Sequence, residues 1–195
     1  ILTCLASRLC NKQVVWIEDR MEHLTAASSA TGRLTKIKAS IDDQGTIHAL
    51  DYDQIDDVGA YPRAPEPASL YRMHGNLSGA YKVKNIRCRN RVILTNKTPS
   101  GLNRGFGGPQ HYFALERLVH QIAVELKLNV LDVIKINLLE KNQFPYKSPS
   151  GALLDSGNFQ KLVKKVIESS SYKKILKNKY ESVKNGKMYG IGYSA

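Results

Sequence analysis

The residues with the clearest chemical potential form a glycine-rich stretch before a predicted helix, Arg104-Gly105-Phe106-Gly107-Gly108-Pro109-Gln110. Glycine permits positive φ angles and lets a ligand approach the backbone closely. A helix start presents unpaired N–H groups and the positive end of a dipole, which suits an anion. Arg104 adds a fixed charge, and Phe106 adds a flat apolar wall. The stretch predicts either a site for an anionic, partly aromatic ligand or only a tight turn with a buried phenylalanine.

Other familiar site patterns are missing from the sequence. A Walker loop would continue with Gly-Lys-Ser/Thr, but Gly108 is followed by Pro109-Gln110, and the dinucleotide fingerprint would need a further glycine. There is no Gly-x-Ser-x-Gly elbow of a serine hydrolase. The five histidines show no H-x-x-x-H spacing and the cysteines no C-x-x-C spacing, so we expect no metal ligands in this chain. His111 is the histidine closest to the glycine-rich stretch.

The composition fits one basic globular domain. The chain has 195 residues, 42% of them hydrophobic, and its 29 Lys and Arg against 17 Asp and Glu give a net charge of +12. This hydrophobic share argues against wholesale disorder. No uninterrupted apolar run approaches the ~20 residues that a membrane span needs. Three cysteines, at positions 4, 10 and 88, cannot form a disulfide framework, so we expect a reducing, cytoplasmic environment.

The positive charge is concentrated near the C-terminus. Residues 161–187 contain nine Lys, two Glu and no Arg. One hypothesis is a non-catalytic module that uses these lysines to bind nucleic acid. The other is the solvated face of two amphipathic helices, because apolar residues recur at helical spacing between the lysines. The lack of Arg weighs against base readout. A purely structural subunit fragment is a third hypothesis.

Alternation of apolar and polar residues predicts the strands that position the glycine-rich stretch. Residues 34–41 and 46–55 alternate on either side of the turn signal Asp42-Asp43-Gln44-Gly45, which predicts a hairpin. Residues 14–17 are apolar and rich in β-branched side chains, which predicts a buried strand.

Further strand candidates are shorter. Residues 81–83 and 92–95 are expected to be two strands around a basic turn. That turn contains Arg87, Arg89 and Arg91. Three prolines predict a surface loop over residues 58–69, and residues 189–195 resemble the beginning of a strand that is cut off at the end of the chain.

Helical periodicity completes an α+β fold, with a mixed sheet, hairpins and packed amphipathic helices. Residues 1–10 have the spacing of an amphipathic helix. Another helix follows Gln110, with Leu115, Leu118, Val119 and Ile122 on one face. Asn129 is placed to cap a helix over residues 130–139.

The glycine-rich stretch and three other segments resemble one enzyme family. Residues 104–110 match its RGFGGPQ motif, and residues 15–24 resemble its strand followed by R-x-E-x-x. Residues 81–87 resemble its Y-x-I-P-N-I-R, and residues 154–159 its D-S-G-D/N-F. The order and rough spacing are similar over nearly the whole chain to large subunits of molybdenum hydroxylases, a group that includes xanthine dehydrogenase, aldehyde oxidoreductase, nicotine and nicotinate dehydrogenases and carbon monoxide dehydrogenase.

This resemblance implies a chemistry and a set of partners. Such enzymes hydroxylate a carbon of an aldehyde or N-heterocycle with water as the oxygen source. They use molybdenum held by molybdopterin and pass electrons to iron–sulfur centres and FAD on partner domains or subunits. The implied partners are the remaining large-subunit segments, an iron–sulfur subunit, a flavin subunit and a small-molecule substrate; nucleic acid and a membrane span are not implied.

The resemblance also implies roles for particular residues. Arg104, Gly105, Phe106, Gly107 and Gly108 would contact molybdopterin, and Phe106 would also line the substrate funnel. By spacing, the substrate-orienting arginine of xanthine-type members falls on Arg72, although the segment around it is a poor local match. The alternative for Arg72 is a surface side chain or one paired with the acidic stretch, which holds the six aspartates at positions 42, 43, 51, 53, 56 and 57.

Some family features are missing. The GGGFGGK motif would lie just before Ile1 and the catalytic G-x-G-E glutamate beyond Ala195, and Lys84 replaces a proline. We therefore expect residues 1–195 to be the first part of a molybdopterin-binding domain, inactive alone and without a catalytic residue or a metal ligand. None of its exposed-looking glutamates is assigned as a base: Glu18, Glu22, Glu116 and Glu125.

Within that part, the sequence suggests two regions. Residues 1–143 are expected to form a sheet-plus-helix core that carries the glycine turn at 104–110. Residues 144–195 are expected to form the Lys-rich helical segment and the start of the truncated strand.

Overall fold

A three-stranded sheet in the order β1-β2-β3 lies at the centre of the fold. The computed structural model describes residues 1–30, 32–64, 72–102, 104–105 and 107–195. The strands are β1 (Gly32–Ile41), β2 (Ile47–Asp57) and β3 (Asn85–Ile93). β1 and β2 are antiparallel, with Leu34 opposite Ile55, which confirms the predicted hairpin. β3 is parallel to β2, with Cys88 opposite Tyr52.

The described residues also form six helices, so the α+β class is confirmed. The helices are α1 (Leu2–Cys10), α2 (Arg20–Ala26), α3 (Gly108–Glu125), α4 (Val130–Asn137), α5 (Phe159–Ser169) and α6 (Tyr172–Lys184). Short elements are the 3₁₀ turns Arg72–Asn76 and Lys141–Gln143 and the paired strands β4 (Tyr146–Lys147) and β5 (Leu153–Leu154). Asn129 caps α4 as predicted, because its side-chain oxygen accepts a hydrogen bond from Leu131 N at 2.9 Å. No helix in the described part of the chain is long and apolar enough to cross a membrane.

The hydrophobic core lies between the inner face of the sheet and helices α3 and α4. Fully buried side chains from both layers meet there, including Leu50, Tyr52, Leu115, Val119 and Ile134. The predicted apolar stripe of α3 supplies the helical half of this core, because its members recur on one face. The start of α3, and with it the glycine-rich stretch, is thereby fixed against the sheet.

The outer face of the sheet carries aspartates of β2 between basic residues of its two neighbouring strands. Basic residues of β1 and β3 flank the aspartates of β2 in two rows, Lys36-Asp53-Arg89 and Lys38-Asp51-Arg87. Within them Arg87 donates to Asp51 at 2.8 Å. Cross-strand neighbours of opposite charge stabilise a sheet.

The structure corrects the prediction of two strands around a basic turn. A single strand, β3, covers Asn85–Ile93 and contains all three arginines, which alternate onto the exposed face of the sheet. Tyr81 makes only an isolated bridge to Leu138. The arginines of this segment suggested an exposed turn. In the fold they lie beside the aspartates of β2, so the segment forms a strand.

Two other predicted strands are not formed. Residues 14–17 have no strand partner among the described residues, and Val15, Trp16 and Ile17 are exposed rather than buried. Residues 189–195 are also outside the described strands, and Tyr193 instead packs beside Tyr172 with a hydroxyl–hydroxyl distance of 2.7 Å. A strand requires a hydrogen-bonded neighbour, and neither segment has one. Of the predicted proline loop, residues 58–64 are turn and coil, whereas 65–69 lie outside the described residues.

Candidate functional site

The glycine turn (residues 104–110) lies at the surface and leads directly into α3. Gly105 has a φ of +102° and Gly107 a φ of +85°. The N–H of Gly108 donates to the carbonyl of Gly105 at 2.8 Å, which closes the turn. Gly107 is the N-cap of α3, and neither a capping side chain nor an acidic residue covers the first helical turn. The helix therefore begins with a backbone arrangement that suits an electron-rich ligand.

Two properties make glycine necessary at position 105. Its positive φ is rarely adopted by L-residues. A Cβ there would lie 2.6 Å from Cδ and 2.8 Å from Cγ of Pro109. At Gly108, by contrast, a Cβ would make ordinary contacts with the ring of Tyr112 at 3.6 Å. Glycine is thus required at position 105 for both conformation and space, whereas the structure leaves room for a Cβ at position 108.

An open groove runs beside the turn, between β1 and α3. It has a volume of about 820 Å³. Its walls are formed by β1 and by the first half of α3, including Leu34, Ile37, Pro109, Phe113 and Arg117. Arg104 and Gly105 are exposed. The predicted site is therefore accessible to a large ligand and is not sealed in the core.

The second predicted segment, around Arg72, lies next to the start of α3. Arg72 begins the 3₁₀ turn Arg72–Asn76, and the side-chain amide of Asn76 donates to the Tyr112 hydroxyl at 3.3 Å. Met73 approaches Gly108, with its sulfur 4.0 Å from where a Cβ would be. The fold thus brings together the backbone segments that carry the predicted residues. Phe106 and the side chain of Arg72 lie outside the described part of the structure.

A buried ion pair that was not predicted from the sequence stabilises this region. Nε and Nη2 of Arg33 donate to the two carboxylate oxygens of Asp56 at 2.6 and 2.9 Å, and both side chains are almost fully buried. Asn90 adds a hydrogen bond to Asp56 at 2.8 Å. All three side chains lie on the inner face of the sheet, at the end opposite the apolar core. Arg33 and Asp56 lie just outside the predicted strands 34–41 and 46–55, and Asn90 lies in the segment predicted as a turn, so the alternation pattern gave no signal for this cluster.

His111 is the buried histidine of this region. It is fully buried, 5.5 Å from the ring of Tyr52 and 5.3 Å from the ring of Tyr112 between ring centroids. Burial lowers its pKa to about 4, the positive charge of Arg33 adds to this effect, and the backbone of Leu77 opposes it. The imidazole is therefore neutral at physiological pH, and it packs as an aromatic ring behind the glycine turn.

The structure contradicts the expectation for one of the two α3 glutamates, which were both expected to be exposed to solvent. Glu116 is half-buried, and both its oxygens accept hydrogen bonds from the Tyr81 hydroxyl, at 3.0 and 3.1 Å. Burial raises its pKa. The prediction for Glu116 was therefore wrong, because Tyr81 reaches the helix from the adjacent segment. Glu125 is exposed, as predicted, and accepts from Gln121 at 2.6 Å.

The described residues form no metal centre, and the Lys-rich segment has the features of solvated helices. No group of three or more His, Cys, Asp or Glu that could hold a metal occurs in the part of the chain that the structure describes. The Lys-rich segment forms two helices as predicted, with i,i+4 ion pairs from Lys164 to Glu168 and from Lys177 to Glu181 at 3.9 and 3.7 Å. Exposed pairs of this kind are typical of solvated helix faces.

Comparison with known families gives one match that covers most of the chain. Residues 1–138 match the family model described as the molybdopterin cofactor-binding domain. The matched region contains the sheet, the 3₁₀ turn at residue 72, the glycine turn, α3 and α4. The nucleic-acid alternative receives no support from this match.

Individual proteins of this kind are similar over the whole chain. The large subunit of nicotine 6-hydroxylase from Paenarthrobacter nicotinovorans is 27% identical over 197 residues, which covers 100% of this chain and 24% of that protein. The carbon monoxide dehydrogenase large chain of Afipia carboxidovorans is 28% identical over 203 residues, covering 100% and 25% respectively. The structure of quinoline 2-oxidoreductase from Pseudomonas putida 86 superposes with a TM-score of 0.84 at 28% identity, covering 95% of this chain and 24% of that chain. The protein thus spans about a quarter of the length of the relatives it matches.

Proposed function

This chain belongs to the molybdopterin cofactor-binding domain family, and we propose that it is part of the large subunit of a molybdenum hydroxylase that oxidises an aldehyde or an N-heterocycle with water as the oxygen source. The observation that carries the proposal is the exposed glycine turn at an uncapped helix start, inside the matched region. When bound, molybdopterin supplies a metal centre that accepts two electrons from the substrate.

The residues of the glycine turn fit such a cofactor. The Cβ-free backbone at Gly105 lies at the surface, and the adjoining groove leaves room for a bulky ligand. The positive end of the α3 dipole at this helix start favours electron-rich atoms. We assign the backbone at Arg104, Gly105, Gly107 and Gly108 to holding the cofactor. Phe106 belongs to the same proposed contact.

We assign substrate orientation to the side chains of Phe106 and Arg72. Phe106 would offer a flat apolar face to an aromatic substrate, and Arg72 would hold its polar end. The 3₁₀ turn that begins at Arg72 packs against the start of α3, as the contact of Asn76 with Tyr112 indicates. His111 contributes by position, since its neutral ring fills the space behind the turn without adding charge.

The chain is proposed to be one part of a larger assembly. We assign this chain to the first part of a longer molybdopterin-binding region, with its sheet-plus-helix core in residues 1–143 and its Lys-rich helical segment in residues 144–195. We expect it to work with the other large-subunit segments, an iron–sulfur subunit and a flavin subunit that carries FAD. The three unpaired cysteines are compatible with a reducing, cytoplasmic location.

Molybdenum and pterin content of the native complex tests the proposal. The complex is purified through this chain, and its metal is measured by mass spectrometry and its pterin by fluorescence after oxidation. We expect about one molybdenum and one pterin per chain in the complex and little in the isolated chain. A complex without molybdenum or pterin would refute the proposal, and stoichiometric metal in the isolated chain would refute its incompleteness. Oxidation of aldehyde and N-heterocycle panels with an artificial electron acceptor then identifies the substrate class.

A further inference from the structure

The first 24 residues form an arm that shows its apolar side chains to solvent. Nine of the 26 large apolar side chains described as exposed lie in this N-terminal arm (residues 1–24), although it makes up only about an eighth of the chain. They are Ile1, Leu2, Leu5, Leu9, Val15, Trp16, Ile17, Met21 and Leu24. Neither α1 nor α2 has a buried residue. Such a concentration of exposed apolar side chains in one segment indicates an interaction site.

Among the described residues, the hydrogen bonds that tether the arm to the rest of the fold follow its C-terminal end. Three hydrogen bonds just after the arm hold the chain: Thr98 Oγ1 donates to Thr25 O at 3.2 Å, Gly101 N to Ser29 O at 2.8 Å, and Arg63 Nη1 to Ser28 Oγ at 2.8 Å. Before this anchor, α2 starts at a capping box that Asp19 and Glu22 complete. The arm is thus a preformed element whose apolar side has no cover in the described structure.

The segment between the two helices has the composition of a strand without the neighbour that a strand needs. Residues 14–17 are Val-Val-Trp-Ile, a sequence that favours β structure. In the structure they make no backbone hydrogen bond to another described residue, and Trp16 and Ile17 are 69% and 85% exposed. An unpaired apolar strand is completed by pairing with the edge of another sheet.

We propose that the N-terminal arm docks on the part of the large subunit that lies outside this chain, and that residues 14–17 add there as a strand to the edge of a sheet with an apolar face. This inference rests on the proposed function for the identity of the partner. Two observations select that partner over a second copy or an unrelated protein. The arm lies within the region that the family model matches, and about three quarters of each relative's length lies outside the aligned chain.

Hydrogen exchange in the native complex tests the docking. We expect the amides of residues 15–17 to exchange at least about 100-fold more slowly than in an unpaired strand, because opening must first break the new ladder. Exchange at solvent-like rates in the molybdenum-loaded complex would overturn the inference. Cross-links from the arm to a second copy of this chain, detected with isotopically mixed complexes, would overturn it as well.

A matched set of variants separates strand pairing from loss of apolar area. Val15→Pro removes a ladder N–H and is expected to reduce the yield of assembled complex at least about tenfold. Val15→Thr keeps the N–H and a β-branched side chain, so it is expected to leave the yield unchanged. Val183→Ser, which removes an exposed apolar side chain from α6, is the control and is expected to have no effect. Equal yields for Val15→Pro and Val15→Thr would contradict the pairing. A complex that lacks molybdenum but protects residues 15–17 would refute the proposed function and leave the docking supported.

Discussion

A Cβ atom on Gly105 would lie 2.6 Å from Cδ of Pro109, the second residue of α3. The glycine turn therefore closes directly onto the helix that it starts, and the proline ring occupies the space that a side chain would need. Because the N–H of Gly108 donates to the Gly105 carbonyl at 2.8 Å, the same contact fixes the direction of the first helical turn. The shape of the proposed cofactor edge depends on this one pair of residues.

Gly105→Ala is expected to displace the turn and to lower cofactor content. Its φ of +102° and the clash with Pro109 would strain the backbone by about 1–3 kcal/mol. The measurement is molybdenum and pterin per purified complex. Gly190→Ala is the control, since a Cβ there meets nothing within 4 Å and no positive φ restricts it. Equal cofactor contents in the two variants would show that the turn does not hold the cofactor.

Asp56→Asn is expected to destabilise the fold by about 3–5 kcal/mol, because it leaves the buried guanidinium of Arg33 without its counter-charge. Asp51→Asn removes the exposed pair with Arg87 and is expected to cost much less, because solvent screens that pair. Urea-induced unfolding followed by circular dichroism gives both values. Similar losses in the two variants would show that burial does not set the importance of the Arg33–Asp56 pair.

His111 is expected to make the folded state sensitive to acid. Its pKa is about 4 in the fold and 6.5 when exposed, so between these values the unfolded chain binds a proton that the folded chain does not. The free energy of unfolding therefore falls as pH drops from 6.5 to 4, by about 3 kcal/mol in full, and this loss ends below pH 4.

His111→Phe isolates this effect, because it keeps a buried ring between Tyr52 and Tyr112 and cannot be protonated. Urea unfolding at pH 7 and pH 4.5 is compared for the two proteins, so that Glu116, whose raised pKa acts in the opposite direction, cancels in the difference. We expect the natural protein to lose at least about 2 kcal/mol more than the variant. Parallel losses would exclude His111 as the source.

Local sequence patterns predicted the elements whose neighbours are close along the chain. The hairpin followed from alternation around Asp42, whose carboxylate accepts hydrogen bonds from Gln44 and Thr46 at 3.0 and 2.8 Å. The start of α3 followed from glycines before a proline, and α4 from its Asn129 cap. In each case the residues that form the sequence pattern also make the local interaction that stabilises the element.

Partners distant in sequence account for the elements that were wrong or missed. From the sequence, Arg87 and Arg91 were predicted to lie in a turn. In the fold they pair with Asp51 and Asp53 of β2. The pairing of Arg33 with Asp56 depends on the register of the hairpin and on coverage by later segments. Parallel pairing and burial are properties of the assembled fold, so a local pattern does not contain them.

Asn137 shows the same dependence on distant partners and supplies a further test. Its side-chain oxygen accepts a hydrogen bond from Ile47 N at 2.7 Å, and its amide nitrogen donates to the carbonyls of Gly45 and Val133 at 2.8 Å each. The fully buried side chain thus ties the end of α4 to the hairpin.

Asn137→Ala is expected to cost about 2–4 kcal/mol, because the truncation leaves buried backbone groups of Gly45 and Ile47 without their partners. Asn129→Ala, which removes the cap of the same helix, is the graded control and is expected to cost about 1 kcal/mol. Chemical denaturation compares the two variants with the natural protein at one pH. A smaller loss for Asn137→Ala than for Asn129→Ala would contradict the structural role assigned to this buried amide, since a cap at the surface would then matter more than a link between the sheet and its covering helix.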